Sequence, residues 1–299
     1  MEKICILMST YNGEKYLSEQ LDSILNQEKV EVDILIRDDG STDNTLKILE
    51  NYSEKFKNVE YYVGKNIKSA KSFMDLVKHS KTYKYYAFAD QDDVWDRDKL
   101  FIGVSKLKEG YNLYGCKKRS VDKNLNLITE NDYEHKHFVL GSVILRGYIA
   151  GCTMVFDDYL KNKVLESSIE RFQMHDTWFL RVAFCVGKVY FDKVAHMSYR
   201  QHDNNVYGGK ISIFTRWKQR IKFLDRRKYQ NETRLIMAKE LYNRYSESLS
   251  KEDKESLFYF AYYRENLKNR IKLVSRDFLH GDNIFDTFII KILALLGIL

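Results

Sequence analysis

Residues 85–95 read Tyr-Tyr-Ala-Phe-Ala-Asp-Gln-Asp-Asp-Val-Trp, an apolar run that delivers three carboxylates into a turn. Like charges so close repel and raise one another's pKa. Hard divalent cations such as Mg2+ or Mn2+ relieve that repulsion. They take oxygen ligands, commonly one or two carboxylates plus the oxygens of a bound phosphate. An Asp-x-Asp at a strand's carboxyl end therefore points to a metal–diphosphate site, with a solvated acidic loop as the alternative.

Working outward, Ile4 to Met8 form a short apolar run that ends in Ser9-Thr10-Tyr11-Asn12-Gly13. Leu17, Leu21, Ile24 and Leu25 then recur at helical spacing. Val32, Ile34 and Ile36 alternate into Arg37-Asp38-Asp39-Gly40-Ser41-Thr42-Asp43, and a second helix follows with Leu46, Leu49, Tyr52 and Phe56 on one face. A third strand at Val59 to Val63 and a helix carrying Phe73, Leu76 and Val77 lead to the acidic turn. Strands alternating with helices of this length imply right-handed crossovers and an α/β fold with a mainly parallel sheet. Ligands of such sheets sit beyond the carboxyl ends of the strands, where all three polar turns fall.

The chain resembles the family-2 glycosyltransferases of the GT-A fold. The resemblance rests on Ser-Thr-Tyr-Asn-Gly at 9–13, Arg-Asp-Asp-Gly-Ser-Thr-Asp at 37–43, Ala-Asp-Gln-Asp-Asp-Val-Trp at 89–95, His-Asp-Thr-Trp at 175–178 and Tyr-Arg-Gln-His at 199–202. The third and fifth are most similar to the bacterial rhamnosyltransferase branch. The resemblance implies a nucleobase pocket lined by Thr10, Tyr11 and Asp39, with Asn12, Asp38 and Gln91 as further donor contacts. An ionised Asp39 is acceptor-only and so suits a pyrimidine imide N–H. Asp38 and Asp39 also suit turn formation, and Ser41, Thr42 and Asp43 read better as the cap of the next helix than as ligands. The resemblance makes Asp90 a ribose or metal-water contact, Asp92 the direct ligand of Mn2+ or Mg2+, and His202 a candidate to complete the metal shell. Asp93 either contacts the site or holds the loop through backbone hydrogen bonds, and Trp95 is expected to pack the loop base. Asp176 takes the place of the catalytic base that deprotonates the acceptor hydroxyl, with helix capping as its plainer reading. Arg200 and Gln201 are candidate phosphate contacts. Residues 204–209 would flex to close over the donor, and residues 151–156 read as a strand beside the sugar.

The implied activity is inverting transfer of a sugar, with dTDP-L-rhamnose the leading donor and UDP-sugars behind it. The implied acceptor is a hydroxyl of a growing, lipid-linked bacterial surface polysaccharide. A nucleotide-sugar-binding protein without transfer activity is the alternative. The 299 residues accommodate a catalytic domain at 1–210 and a helical region at 211–299. Cys5, Cys116, Cys152 and Cys185 are widely spaced, as expected of reduced thiols in the cytoplasm rather than a disulfide framework. The apolar run after Lys3 is about half a minimal signal-peptide core, so no leader is expected. Arg216, Lys218, Arg220, Lys222, Arg226, Arg227 and Lys228 interleave with Ile213, Trp217, Ile221 and Leu224, as in an interfacial basic helix. Two more helices are expected over 231–248 and 254–274, then an apolar end after Lys291 that is too short to cross ~30 Å of hydrocarbon. The expected contact of this region is the inner membrane face, with a packed helix or dimer partner as the alternative. A balance of 49 basic to 42 acidic residues argues against a nucleic-acid partner.

Overall fold

The computed structural model describes residues 1–130, 138–147, 149–167, 172–201, 231–281 and 283–299. His202, the loop at 204–209 and the basic segment at 211–229 lie outside the described residues.

The first half alternates as its periodicity predicts: β1 (Glu2–Thr10), α1 (Leu17–Leu25), β2 (Val30–Asp38), α2 (Thr45–Lys55), β3 (Val59–Val63), α3 (Ser69–His79) and β4 (Tyr85–Ala89). These strands pair in parallel in the order β3-β2-β1-β4. Side chains two apart along a strand share a face, and β1 obeys this closely. Ile4, Ile6 and Met8 join a core with Leu17, Leu21, Ile24 and Leu49 of α1 and α2. Cys5 and Leu7 join Phe73, Leu76 and Val77 of α3 on the opposite face.

Beyond β4 the sheet becomes mixed. The chain continues through β5 (Val94–Trp95), α4 (Lys99–Lys108), β6 (Leu113–Val121), β7 (Leu127–Thr129) and α5 (Leu140–Leu145). A single 3-10 turn (Gly151–Thr153) then precedes β8 (Val155–Asp157), α6 (Asp158–Leu165), α7 (His175–Val186) and β9 (Val189–Arg200). Strand β8 inserts antiparallel between β4 and β6, β9 runs parallel to β6, and β5 pairs antiparallel with β9. The expected strand over 151–156 is therefore only partly strand. Its first three residues coil into the 3-10 turn, placing Gly151 and Cys152 beside the acidic turn rather than within the sheet.

The remaining described residues are helical: α8 over residues 231–245, α9 (Lys251–Tyr262), α10 (Leu267–Val274) and α11 (Ile284–Leu296). The single helix expected over 254–274 breaks in two because Asn266 accepts a hydrogen bond from the Asn269 amide at 2.8 Å and starts a new helix. Met237, Leu241, Leu257, Phe260 and Leu273 belong to the same core as α3 and α7. Arg181 of α7 reinforces that union, donating to the carbonyls of Val143 and Ile144 in α5 and to the Met237 sulfur in α8. No helix of the described residues is long and apolar enough to cross a membrane.

Candidate active site

Hydrogen bonds lace the three polar turns together. At the first turn, the Tyr11 amide donates to Gln91 Oε1 at 2.8 Å, and Gln91 Nε2 returns a bond to the Tyr11 carbonyl at 3.1 Å. Asn12 adopts a left-handed backbone, which asparagine tolerates. Its Oδ1 accepts from the Thr42 amide while its own amide donates to Ser41 Oγ. The Gly13 amide donates to Thr45 Oγ1. Of the three residues expected to cap α2, none is its N-cap, which is Asn44; Asp43 just before it accepts from the Thr45 amide at 3.0 Å. Ser41 and Thr42 tie the first turn down instead. The Tyr11 ring stays 47% exposed and open to stacking.

Two residues expected at the donor are buried in the turn itself. Asp38 accepts four bonds: from Thr10 Oγ1 (2.9 Å), the Gly40 amide (3.0 Å), the Ser41 amide (2.8 Å) and Ser41 Oγ (2.6 Å). A carboxylate offers about four lone-pair sites, so Asp38 is saturated and Thr10 is committed to it. Both side chains brace the turn. Asp39 is buried and ion-paired with Arg37, and it accepts from the Ile67 and Lys68 amides at 3.0 Å. By the same count it keeps room for one more donor.

In the acidic turn, burial, followed by repulsion from Asp92 and Asp176, pushes the Asp90 carboxyl up to about 7. Burial, with Asp92 and Asp90 adding to it, also raises Asp93 well above the ordinary carboxylate range. Asp93 turns inward and accepts from the Arg200 amide at 3.2 Å, the kind of backbone hydrogen bond expected of a loop-holding residue. Trp95 is buried as expected. Against its ring, at 3.3 Å from the centroid, lies the buried ammonium of Lys99, lowered to about 8 by burial. This cation sits beneath the turn and partly offsets its charge.

Arg200 is likewise engaged within the protein. Its guanidinium is buried, donating to the Asp92 carbonyl (2.9 Å) and the Lys123 carbonyl (2.7 Å), and it pairs with Glu19. Long-range pairing of β9 with β5 and β6 turns it into a strut for the acidic turn, which the linear motif does not reveal. Gln201 continues the same strand edge, its amide donating to the Val121 carbonyl.

Asp176 lies in the first turn of α7, half-buried. Its Oδ2 accepts from the Gly151 amide at 3.1 Å, and its Oδ1 accepts from the Thr177 amide at 2.5 Å. It therefore ties the Gly151 turn to the start of α7 and, through its charge on Asp90, is a member of the acidic cluster. Preceding it, His175 is buried, stacked on Phe73 (3.9 Å between centroids) and edge-on to Phe88 (4.7 Å), and burial lowers it to about 4. A neutral, walled-in ring fits a structural role.

Two further side chains meet the acidic turn. Cys152, in the segment expected beside the sugar, approaches Asp90 and Asp93, their ligand atoms all lying within 4.8 Å of one another. Lys118 of β6, which carries no local signal, lies over the Tyr199 ring and favours the charged form of Asp90. A 3-10 turn and a strand far apart in sequence deliver them. The acidic turn fits a divalent cation, because two carboxyl groups held back from ionisation by burial and mutual repulsion are what an oxygen-seeking dication relieves. A buried thiol raised well above its ordinary value is a poor partner for such an ion, leaving the carboxylates as the donors.

A parallel half-sheet with three laced turns at its carboxyl edge is extended by a mixed half that adds a carboxylate. Residues 5–164 match the family model described as glycosyl transferase family 2, and the chain belongs to that family. It is 32% identical over 235 residues to the dTDP-rhamnosyl transferase RfbG of Shigella flexneri, covering 71% of this chain and 77% of that protein. Among solved structures, S. aureus TarS 1-349 in complex with UDP-GlcNAc superposes with a TM-score of 0.64 at 16% identity, covering 99% of this chain and 82% of that one. The mannosyltransferase PcManGT from Pyrobaculum calidifontis, in complex with GDP-Man and Mn2+, superposes at 0.54 with 14% identity, covering 99% and 80%.

Proposed function

We propose that this protein is a metal-dependent, inverting glycosyltransferase that moves L-rhamnose from dTDP-L-rhamnose onto a hydroxyl of a growing, lipid-linked bacterial surface polysaccharide at the inner face of the membrane. The observation that carries the reading is the meeting of Asp176, from the start of α7, with Asp90, from the end of β4, in one acidic cluster. The similarity to a dTDP-rhamnosyl transferase supports the choice of sugar.

Tyr11 stacks on the base, and Asp39 accepts its imide N–H with the capacity that Arg37 and the 67–68 amides leave free. Asp92 and His202 would hold Mg2+ or Mn2+, with Asp90 reaching the ribose or a metal-bound water. Such an ion supplies Lewis-acid neutralisation of charge on the departing nucleoside diphosphate. Asp176, fixed by the Gly151 and Thr177 amides, accepts the proton of the acceptor hydroxyl. That oxygen attacks the anomeric carbon from the face opposite the diphosphate, and the sugar–phosphate bond breaks with inversion. A UDP-sugar donor is the second reading, favoured by the UDP-GlcNAc complex of TarS.

The test is thermal unfolding of the protein with dTDP, UDP or GDP, each with Mn2+ or with EDTA, followed by transfer assays. A ligand at ~100 times its Kd stabilises by about 2.7 kcal/mol. A metal-dependent shift confined to dTDP, with turnover lost in Asp176→Asn, is expected. A shift confined to UDP moves the donor to the second reading, and turnover retained by Asp176→Asn sinks the catalytic assignment.

A further inference from the structure

Helix α11 is built with its apolar side outward. Asn283 caps it, accepting from the Asp286 amide at 2.8 Å, and Gly297 ends it in a left-handed conformation. Between them, the exposed positions Phe285, Phe288, Ile289, Ile292, Leu295 and Leu296 recur every three or four residues and form one face. All are large and apolar, with Phe285 at 69% and Phe288 and Leu296 at 61% exposure. Ala294 is the helix's one fully buried side chain. A helix of a globular protein turns its apolar stripe to the core; α11 does so through Ile290 and Ala294 but carries a second apolar face outward. The neighbouring α10 repeats the pattern on a smaller scale, exposing Leu267 and Ile271 beside Lys268 and Lys272.

We propose that this face is a membrane-docking surface that lies flat in the interface of a bilayer rich in anionic lipid. At 1.5 Å per residue, 13 residues extend about 20 Å, suited to lying in the interface plane and too short to span. Charge decides between lipid and a second copy of the chain. Helix α10 carries Lys268, Arg270 and Lys272 with no acid, and α11 adds Lys291 against the first-turn Asp286. A self-complementary pairing sets like faces together and would crowd these cations, whereas anionic headgroups neutralise them at roughly 1 kcal/mol per basic side chain, about a fivefold change in affinity each. The helix is already tied to the body, because Arg270 Nη1 donates to the Leu295 carbonyl, leaving the outward face free of that task.

This surface gives physical form to the membrane-side placement proposed above but does not rest on the identity of the sugar. The experiment is co-sedimentation of the full chain with vesicles of phosphatidylcholine alone and of phosphatidylcholine mixed with phosphatidylglycerol. Sedimentation equilibrium without vesicles and turnover with a water-soluble acceptor are measured alongside. Binding to the mixed vesicles is expected. It should fall on the order of a hundredfold in Phe288→Glu/Ile292→Glu, since each loses an exposed apolar anchor. Lys268→Glu/Lys272→Glu should abolish the preference for phosphatidylglycerol, and both variants should unfold at the wild-type temperature. Wild-type protein that ignores both vesicles overturns the proposal. So does a dimer that Phe288→Glu/Ile292→Glu splits, which assigns the face to a second copy. Turnover is scored separately, so failure of the sugar-transfer reading leaves the vesicle result interpretable.

Discussion

Replacing Gly151 with alanine probes the seat of Asp176 directly. A Cβ at this position would stand 2.6 Å from His175 Nε2, 3.2 Å from its Cε1 and 3.4 Å from Asp176 Cβ. Ordinary contacts lie at about 3.5–4.0 Å, so the first overlap is close to an ångström. The ring has little room to retreat, because it is stacked on Phe73 and abuts Phe88. The 3-10 turn must move instead. Overpacking of this kind costs about 1–3 kcal/mol, and a stiffer unfolded chain returns about 0.4–1 kcal/mol. The net loss is about 1–2 kcal/mol, read as a fall of several degrees in Tm. Displacing the turn also loosens the 3.1 Å bond from the Gly151 amide to Asp176 Oδ2. A misplacement of ~1 Å at a reacting group costs on the order of a hundredfold, so kcat should fall between tenfold and a hundredfold with donor KM little changed. Thermal unfolding and steady-state transfer assays measure both effects. In Gly151→Ala/His175→Ala the overlap disappears, and the strain energy should vanish from the double-mutant cycle. A Gly151→Ala protein as stable as wild type, with unchanged kcat, would refute the tight fit of glycine, histidine and aspartate.

Asp90 should leave a pH signature in metal-free protein. Its folded pKa of about 7 lies above the ordinary carboxylate value of 3.8, so the folded state binds more protons between those limits. Stability attributable to this group is present below about pH 4 and is lost as pH rises to about 7. In EDTA at pH 8, Asp90→Asn should therefore be more stable than wild type by a few kcal/mol, with the gap closing by about pH 4. Urea unfolding at several pH values tests this, and a gap that widens on acidification would reverse the assignment. Arg200→Met should leave the Asp92 and Lys123 carbonyls without their guanidinium donor and lower stability by about 2–4 kcal/mol. Loss of nucleotide affinity at unchanged Tm would instead restore Arg200 as a phosphate contact.

The alternation of elements through residue 89 was legible because both signals are local. The period of two in Ile4, Ile6 and Met8, and the helical spacing of Leu17, Leu21 and Ile24, survive intact in the core. The acidic turn was legible for the same reason, since repulsion among Asp90, Asp92 and Asp93 follows from their adjacency. Asp38 shows where such reading leaves alternatives open. An aspartate that caps a turn and one that meets a ligand are the same residue in the same local sequence. Four donors converge on it, and one of them, Thr10, comes from another strand. The bonds of Arg200 are equally hidden from the linear motif, because its acceptors at Asp92, Lys123 and Glu19 lie on other segments.

What the chain carries in its linear order is the run of strands and helices, the three polar turns, and the residue types that suit a nucleotide and a dication. Periodicity and capping act over a few residues, so neighbours alone suffice to specify them. Packing settled which side chains are buried and which partners they meet. It brought Gly151 and Cys152 under the turn, sank Asp38 and Asp93, buried Lys99 beneath the carboxylates and turned α11's apolar face to the outside. Burial and charge at each of these positions depend on which distant strands lie side by side, and that neighbourhood exists only once the sheet has closed.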